Sequence, residues 1–159
     1  MSQRAVIDGL QFARDAESLA GTLDLSQLSR LAEMRCGTDG LAYELRGKVD
    51  AEGRCWLHIS ARGMLTLTCQ RCLGPVAFPL ALESELLMAA SEREIDEAED
   101  DIDRVLAGKA MRVGQLVEDE VILALPMAPR HEQCGEARND TETGRISPFA
   151  ALAGLKRVR

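Results

Sequence analysis

The sequence predicts an α+β fold, a single domain in which an antiparallel meander packs with a few helices and runs on into an extended C-terminal tail. Three observations carry that expectation. Residues 41–88 alternate apolar and polar side chains in segments broken by turn-forming residues, the period of strands with one buried face. Two stretches, 27–34 and 113–125, instead space their apolar residues by three and four, as helices with one buried face do. A chain of 159 residues with 46% hydrophobic side chains has the size of one ordinary domain and enough apolar surface for one core.

Taken in order, Ala5-Val6-Ile7 reads as a short strand, and Phe12, Ala13, Ala16, Leu19 and Ala20 as a short helix ending at Gly21. Residues 27–34 form a second helix with Leu28, Leu31 and Ala32 on one face, Ser26 as N-cap and Gly37 as stop. Strands follow at Ala42–Arg46, Trp56–Ser60 and Met64–Thr68, with a turn at Asp50-Ala51-Glu52-Gly53. Val76–Leu86 is the next strand, and Pro79 suits an edge or a bulge because it brings no N–H to a ladder. Cys69–Pro75 then becomes a hairpin tip. Residues 89–103 read as a flexible solvated loop, since eight acidic side chains between Glu92 and Asp103 repel one another. Ile102–Leu106 reads as a short strand, 107–109 as a turn, and 113–125 as a helix ended by Pro126. Residues 127–159 form the tail, which carries a distinct apolar motif at 147–157.

Composition narrows the function classes. Aromatic residues make up 3% of the chain, so the core is aliphatic and platforms for stacking bases are scarce. A formal charge of -7 disfavours binding that neutralises many phosphates, although Lys156, Arg157 and Arg159 leave a small basic end. The first residues lack the apolar run of an export signal and no later stretch approaches a membrane span, so the expected location is the cytoplasm. Five cysteines without an export signal point to reduced thiols or metal ligands rather than disulfides.

Cys69-x-x-Cys72 has the spacing of a zinc knuckle, and His131-x-x-Cys134 repeats it with an imidazole, giving a candidate Cys3His zinc set. The competing expectation is a plain pair of strand-end thiols and a tail histidine in water. A thioredoxin-type redox pair would open a helix, whereas the residues after Cys72 read as turn and strand. Cys36 and Cys55 have no paired spacing and read as small buried hydrophobes. Among the acids of the last helix, Glu118, Asp119 and Glu120 spread over more than half its circumference and cannot converge on one metal. They read as a solvated stretch near the helix start, or as a contact for a partner or for Arg71. With two histidines, no nucleophile elbow and no phosphate-cradling glycine loop, the chain does not read as an enzyme. His58, on a strand, reads as a cross-strand residue.

In the tail, Pro148 suits a first helical position after Ser147, and Phe149, Leu152 and Leu155 recur every three residues ahead of Lys156. This motif reads either as an anchor on the chain's own core or as a contact for a partner or RNA. Four segments in this order, Cys69-Gln70-Arg71-Cys72, Val117–Pro126, His131-Glu132-Gln133-Cys134 and Pro148–Lys156, resemble the YceD family. The resemblance implies a ribosome-biogenesis factor that supports synthesis, processing or stability of large-subunit (23S) rRNA. It implies as partner a large-subunit precursor, a ribosomal protein or an rRNA-processing protein, and leaves direct RNA contact open. Arg71, Glu118, Asp119, Glu120, Pro148, Phe149, Leu152, Leu155 and Lys156 are the candidate partner-binding residues. Two rival readings stand beside it: a zinc-stabilised interaction module outside ribosome assembly, and a metal-dependent RNA-processing enzyme.

Overall fold

The computed structural model describes residues 5–134. Their elements are β1 (Val6–Ile7), α1 (Gly9–Arg14), β2 (Ser18–Leu23), a 3-10 turn (Leu25–Gln27), α2 (Ser29–Glu33), β3 (Gly37–Val49) and β4 (Cys55–Thr68). They continue with β5 (Pro75–Ala89), α3 (Glu92–Asp96), β6 (Arg104–Leu106), β7 (Met111–Arg112) and α4 (Val113–Ala124). The α+β class is as the sequence predicts. Five strands form one sheet in the order β2-β3-β4-β5-β6, and β1 and β7 form a separate antiparallel ribbon. The meander from β2 to β5 is antiparallel, whereas β6 joins β5 in parallel through Leu87–Ala89.

Alternation decides which sheet face is covered. Leu57, Ile59, Ala61, Leu65 and Leu67 of β4 are buried with Leu41 and Leu45 of β3 and Leu80, Leu82 and Leu86 of β5, and Phe12, Leu31, Val117 and Val121 of the helices complete that core. The intervening residues carry Glu44, Arg46, Lys48, His58, Arg62, Glu83 and Glu85 to the opposite face, which faces solvent. Gly47 lets α1 lie on the sheet, because a Cβ there would run into the backbone of Phe12 and Ala13.

Several boundaries differ from expectation. The first helix stops at Arg14, Ala16 takes a positive φ of 49°, and residues 18–23 join β3 as a strand, so pairing overrides the mixed helical spacing. The second helix is split: Ser26 lies within the 3-10 turn, and Leu28, which has no capping oxygen, is the N-cap of α2. The segments 56–60 and 64–68 are one strand, because Gly63 serves close approach rather than a turn. A Cβ at Gly63 would sit 2.6 Å from Leu41 Cδ2 and 2.8 Å from Gly40 O, where β3 shifts register. The acidic stretch 89–103 contains α3, capped by Ser91, whose Oγ accepts from Glu94 N. Acids in its first turn favour that short helix despite their mutual repulsion. Pro79 stands where β5 has β4 on one side only, as its missing N–H requires. The last helix spans Val113–Ala124, close to expectation.

Candidate metal centre

The β4–β5 connection is a tight hairpin tip, as expected. Cys69 N donates to Gly74 O at 2.8 Å and Leu73 N to Cys69 O at 2.9 Å, and Leu73 takes a φ of 61° to close the turn. After α4, Pro126 breaks the helix and the chain returns along β5, where Gln70 N donates to Pro129 O at 2.8 Å. That route brings His131 and Cys134 to Cys69 and Cys72. The four donor atoms lie within 4.8 Å of one another, and the group could hold a metal ion.

Three of the six spacings are close to those of tetrahedral coordination. Two sulfurs about 2.3 Å from a common zinc stand about 3.8 Å apart at the tetrahedral angle. Cys69 Sγ and Cys134 Sγ are 3.6 Å apart, Cys72 Sγ and His131 Nδ1 3.4 Å, and Cys134 Sγ and His131 Nδ1 3.9 Å. His131 Nε2 lies 2.8 Å from Pro75 O, so an Nε2–H donates there and leaves the Nδ1 lone pair directed at the sulfurs. The sulfurs have a second shell as well: Arg71 Nε–H donates to Cys134 Sγ at 3.0 Å and Arg71 N–H to Cys69 Sγ at 3.5 Å.

Ionisation follows these contacts. The backbone N–H of Cys72, against the cost of burial and with those of Arg71 and His131 and the thiol of Cys134, draws the Cys69 thiol down to about 5. Arg71 lowers Cys134. The N–H of Gly74 favours the Cys72 thiolate, but desolvation and the nearby sulfurs of Cys69 and Cys134 outweigh it and raise Cys72. Cys134, the Pro75 carbonyl and Cys69 together raise His131. Thiolates thus form readily until their mutual repulsion stops the last one, and a cation among them removes that limit.

The acids of α4 do not form one solvated stretch. Glu118 is 2% exposed rather than solvated. Its Oε1 accepts from Arg30 N at 2.8 Å and Leu31 N at 3.0 Å, and Oε2 lies 3.5 Å from Arg30 Nε. Asp119 also pairs with Arg30. The partner of these acids is therefore Arg30, not Arg71, and Glu118 supplies the cap that Leu28 cannot give α2. Glu120 is partly exposed beside them. Cys36 and Cys55 are buried in the core, and His58 lies on the open sheet face. Pro148, Phe149, Leu152, Leu155 and Lys156 lie outside the described residues. The contact of Arg71 with Cys134 and the capping by Glu118 were not visible in the sequence, because each joins residues 63 or more positions apart.

A family model described as "Large ribosomal RNA subunit accumulation protein YceD" matches residues 57–156, which include most of β4, all of β5 and α4, and the four candidate ligands. The chain belongs to the YceD family. No solved structure matches it. Among the described residues, no helix is long and apolar enough to cross a membrane.

Proposed function

We propose that this YceD family member supports accumulation of large-subunit (23S) rRNA in the cytoplasm as a binding factor rather than an enzyme, acting through a ribosomal or rRNA-processing protein. The family match over residues 57–156 carries this reading. The charge of -7 supports a basic protein as the direct partner in preference to naked RNA. Arg71, Glu120 and the tail residues Pro148, Phe149, Leu152, Leu155 and Lys156 are the proposed contacts. Glu118 and Asp119 serve them indirectly by holding α4 against α2.

A structural zinc completes the proposal. Cys69, Cys72 and Cys134 as thiolates and His131 through Nδ1 would hold it, and four protein ligands leave no open coordination position for a substrate. Bound there, the metal supplies a crosslink between the β4–β5 tip and the segment after α4. The test has two parts. Cells depleted of the protein should lose large-subunit rRNA relative to small-subunit rRNA and recover with wild type, but not with a Phe149→Ala chain; an unchanged ratio refutes the rRNA reading. Purified protein should carry about one zinc per chain, and a metal-free chain of equal stability refutes the zinc.

A further inference from the structure

The two edges of the large sheet are built differently. Along β5, Pro79 removes a donor, Glu83 and Glu85 are exposed, β6 covers Leu87–Ala89, and Pro126, Ala128, Pro129 and Arg130 line a cleft with Val76 to Phe78. Proline, charge and cover are the means by which sheets blunt an edge. Edge strand β2, Ser18-Leu19-Ala20-Gly21-Thr22-Leu23, has no proline and no charge.

Its pairing shows which backbone groups are left over. Gly47 N donates to Glu17 O at 2.9 Å, which marks these two residues as a hydrogen-bonded pair. By antiparallel alternation, Leu19, Gly21 and Leu23 direct their N–H and C=O groups at β3, while Ser18, Ala20 and Thr22 direct theirs outward. Among the described residues, no backbone hydrogen bond reaches those outward groups. Clefts adjoin the two ends of the strand: one of about 250 Å³ lined by Gly21, Thr22 and Leu23, and another of about 510 Å³ lined by Ser18 and Leu19, both sharing Ala5.

We propose that an extended basic segment of a partner protein adds to β2 as a further strand. Charge selects the partner. Asp15 and Glu17 lie just before the strand and Asp24 just after it, all exposed and in no ion pair among the described residues. Arg112 lines the first cleft with Gly21, Thr22 and Leu23, so the acidic preference is stronger at the Asp15 and Glu17 end of the strand than at the Asp24 end. The complementary segment has an uncharged, β-forming centre with lysine or arginine on both sides; main-chain hydrogen bonds hold it and the flanking charges choose it. The inference rests on the protein-partner reading above and gives that partner a binding edge.

The test uses the full ¹⁵N-labelled chain with the peptide Lys-Lys-Thr-Val-Thr-Val-Lys-Lys and a counterpart carrying Glu for every Lys. The basic peptide should shift the Ser18, Ala20 and Thr22 amides and slow their exchange, and the acidic one should bind about tenfold more weakly or worse. Ala20→Pro removes one outward N–H without touching the β3 ladder and should abolish binding. Asp15→Lys with Glu17→Lys leaves the strand intact and should erase the preference for the basic peptide. Equal binding of both peptides, shifts confined to the open sheet face, or the same protection from a second copy of the chain without peptide would each overturn the proposal. Because the readout is a peptide on the folded chain, it succeeds or fails independently of rRNA levels in cells.

Discussion

Replacing Glu118 by alanine should cost about 3 kcal/mol of folding stability, as two orphaned amides at about 1.5 kcal/mol each. Helix α2 begins at Ser29, and its cap residue Leu28 has no side-chain oxygen, so the first amides need an acceptor from elsewhere. One oxygen of Glu118 takes both Arg30 N and Leu31 N, in a place where Leu31 has no exposed surface to admit water. The Arg30 side chain adds little, because it is 47% exposed and an ion pair with such a partner contributes below about 1 kcal/mol. Glu118→Gln keeps a carbonyl oxygen at the same reach and should lose about 1 kcal/mol, the difference between a charged and a neutral acceptor. Urea unfolding monitored by circular dichroism measures both variants, and amide exchange should show Arg30 and Leu31 losing protection in the alanine variant first. An alanine variant within about 0.5 kcal/mol of wild type, or a glutamine variant as unstable as alanine, would refute capping as the role of this residue.

Cys72→Ser should lower bound zinc well below about one per chain, while Cys36→Ser leaves metal content unchanged; elemental analysis of the purified proteins decides. Gly47→Ala should destabilise by about 2 kcal/mol, since the new Cβ meets backbone of Phe12 and Ala13 that cannot rotate away, and thermal unfolding should report a lower Tm. Asp50 should govern part of the acid limb of stability. Burial opposes its ionisation, but Trp56 Nε1–H at 2.8 Å with the backbone and side chain of Arg54 outweighs that cost and holds the carboxyl at about 2. A folded-state value below the unfolded one means the contribution is complete above about pH 4 and is lost as pH falls toward 2. Unfolding measured from pH 5 to pH 2 should therefore fall less steeply for Asp50→Asn, and an unchanged slope would rule the contact out as a source of acid lability.

Periodicity made the sheet legible. The alternation over β4 and β5 fixes which side of each residue faces the core, and the turn residues at 50–53 and the thiol pair at 69–72 mark the two reversals. What sequence reasoning placed less well depends on contacts between distant residues. Nothing local distinguishes Gly63 as a close-approach glycine from a turn glycine until Leu41 is packed on it, so one long strand reads as two. Residues 18–23 look helical in part because Leu19 and Ala20 follow Ala16 at helical spacing, yet six cross-strand partners on β3 outweigh that propensity. The candidate ligand set was noticed from its spacing, since two x-x pairs of soft donors are rare. Its meeting in space was not, because the route from α4 back to the β4–β5 tip depends on Pro126 and on the bond from Gln70 N to Pro129 O.

Helix α4 links these features into one mechanical unit. Its N-terminal half is fixed from inside by Glu118 on the start of α2, and the chain leaving its other end carries His131 and Cys134 to Cys69 and Cys72. The family match begins at Leu57, inside β4, and so includes α4 and the cluster but neither α2 nor the strands β1 to β3. The matched segment thus depends on what precedes it: β4 pairs with β3 along its length, and the buried carboxyl group of Glu118 accepts from Arg30 and Leu31, which lie before the match. The N-terminal elements consequently do two jobs in this chain. They close the core beneath α4, which positions the segment that carries His131 and Cys134, and they present β2 as an unblunted edge at the side of the sheet away from that cluster. A partner strand added there would lengthen the sheet without disturbing the cluster, which makes the two surfaces available at the same time.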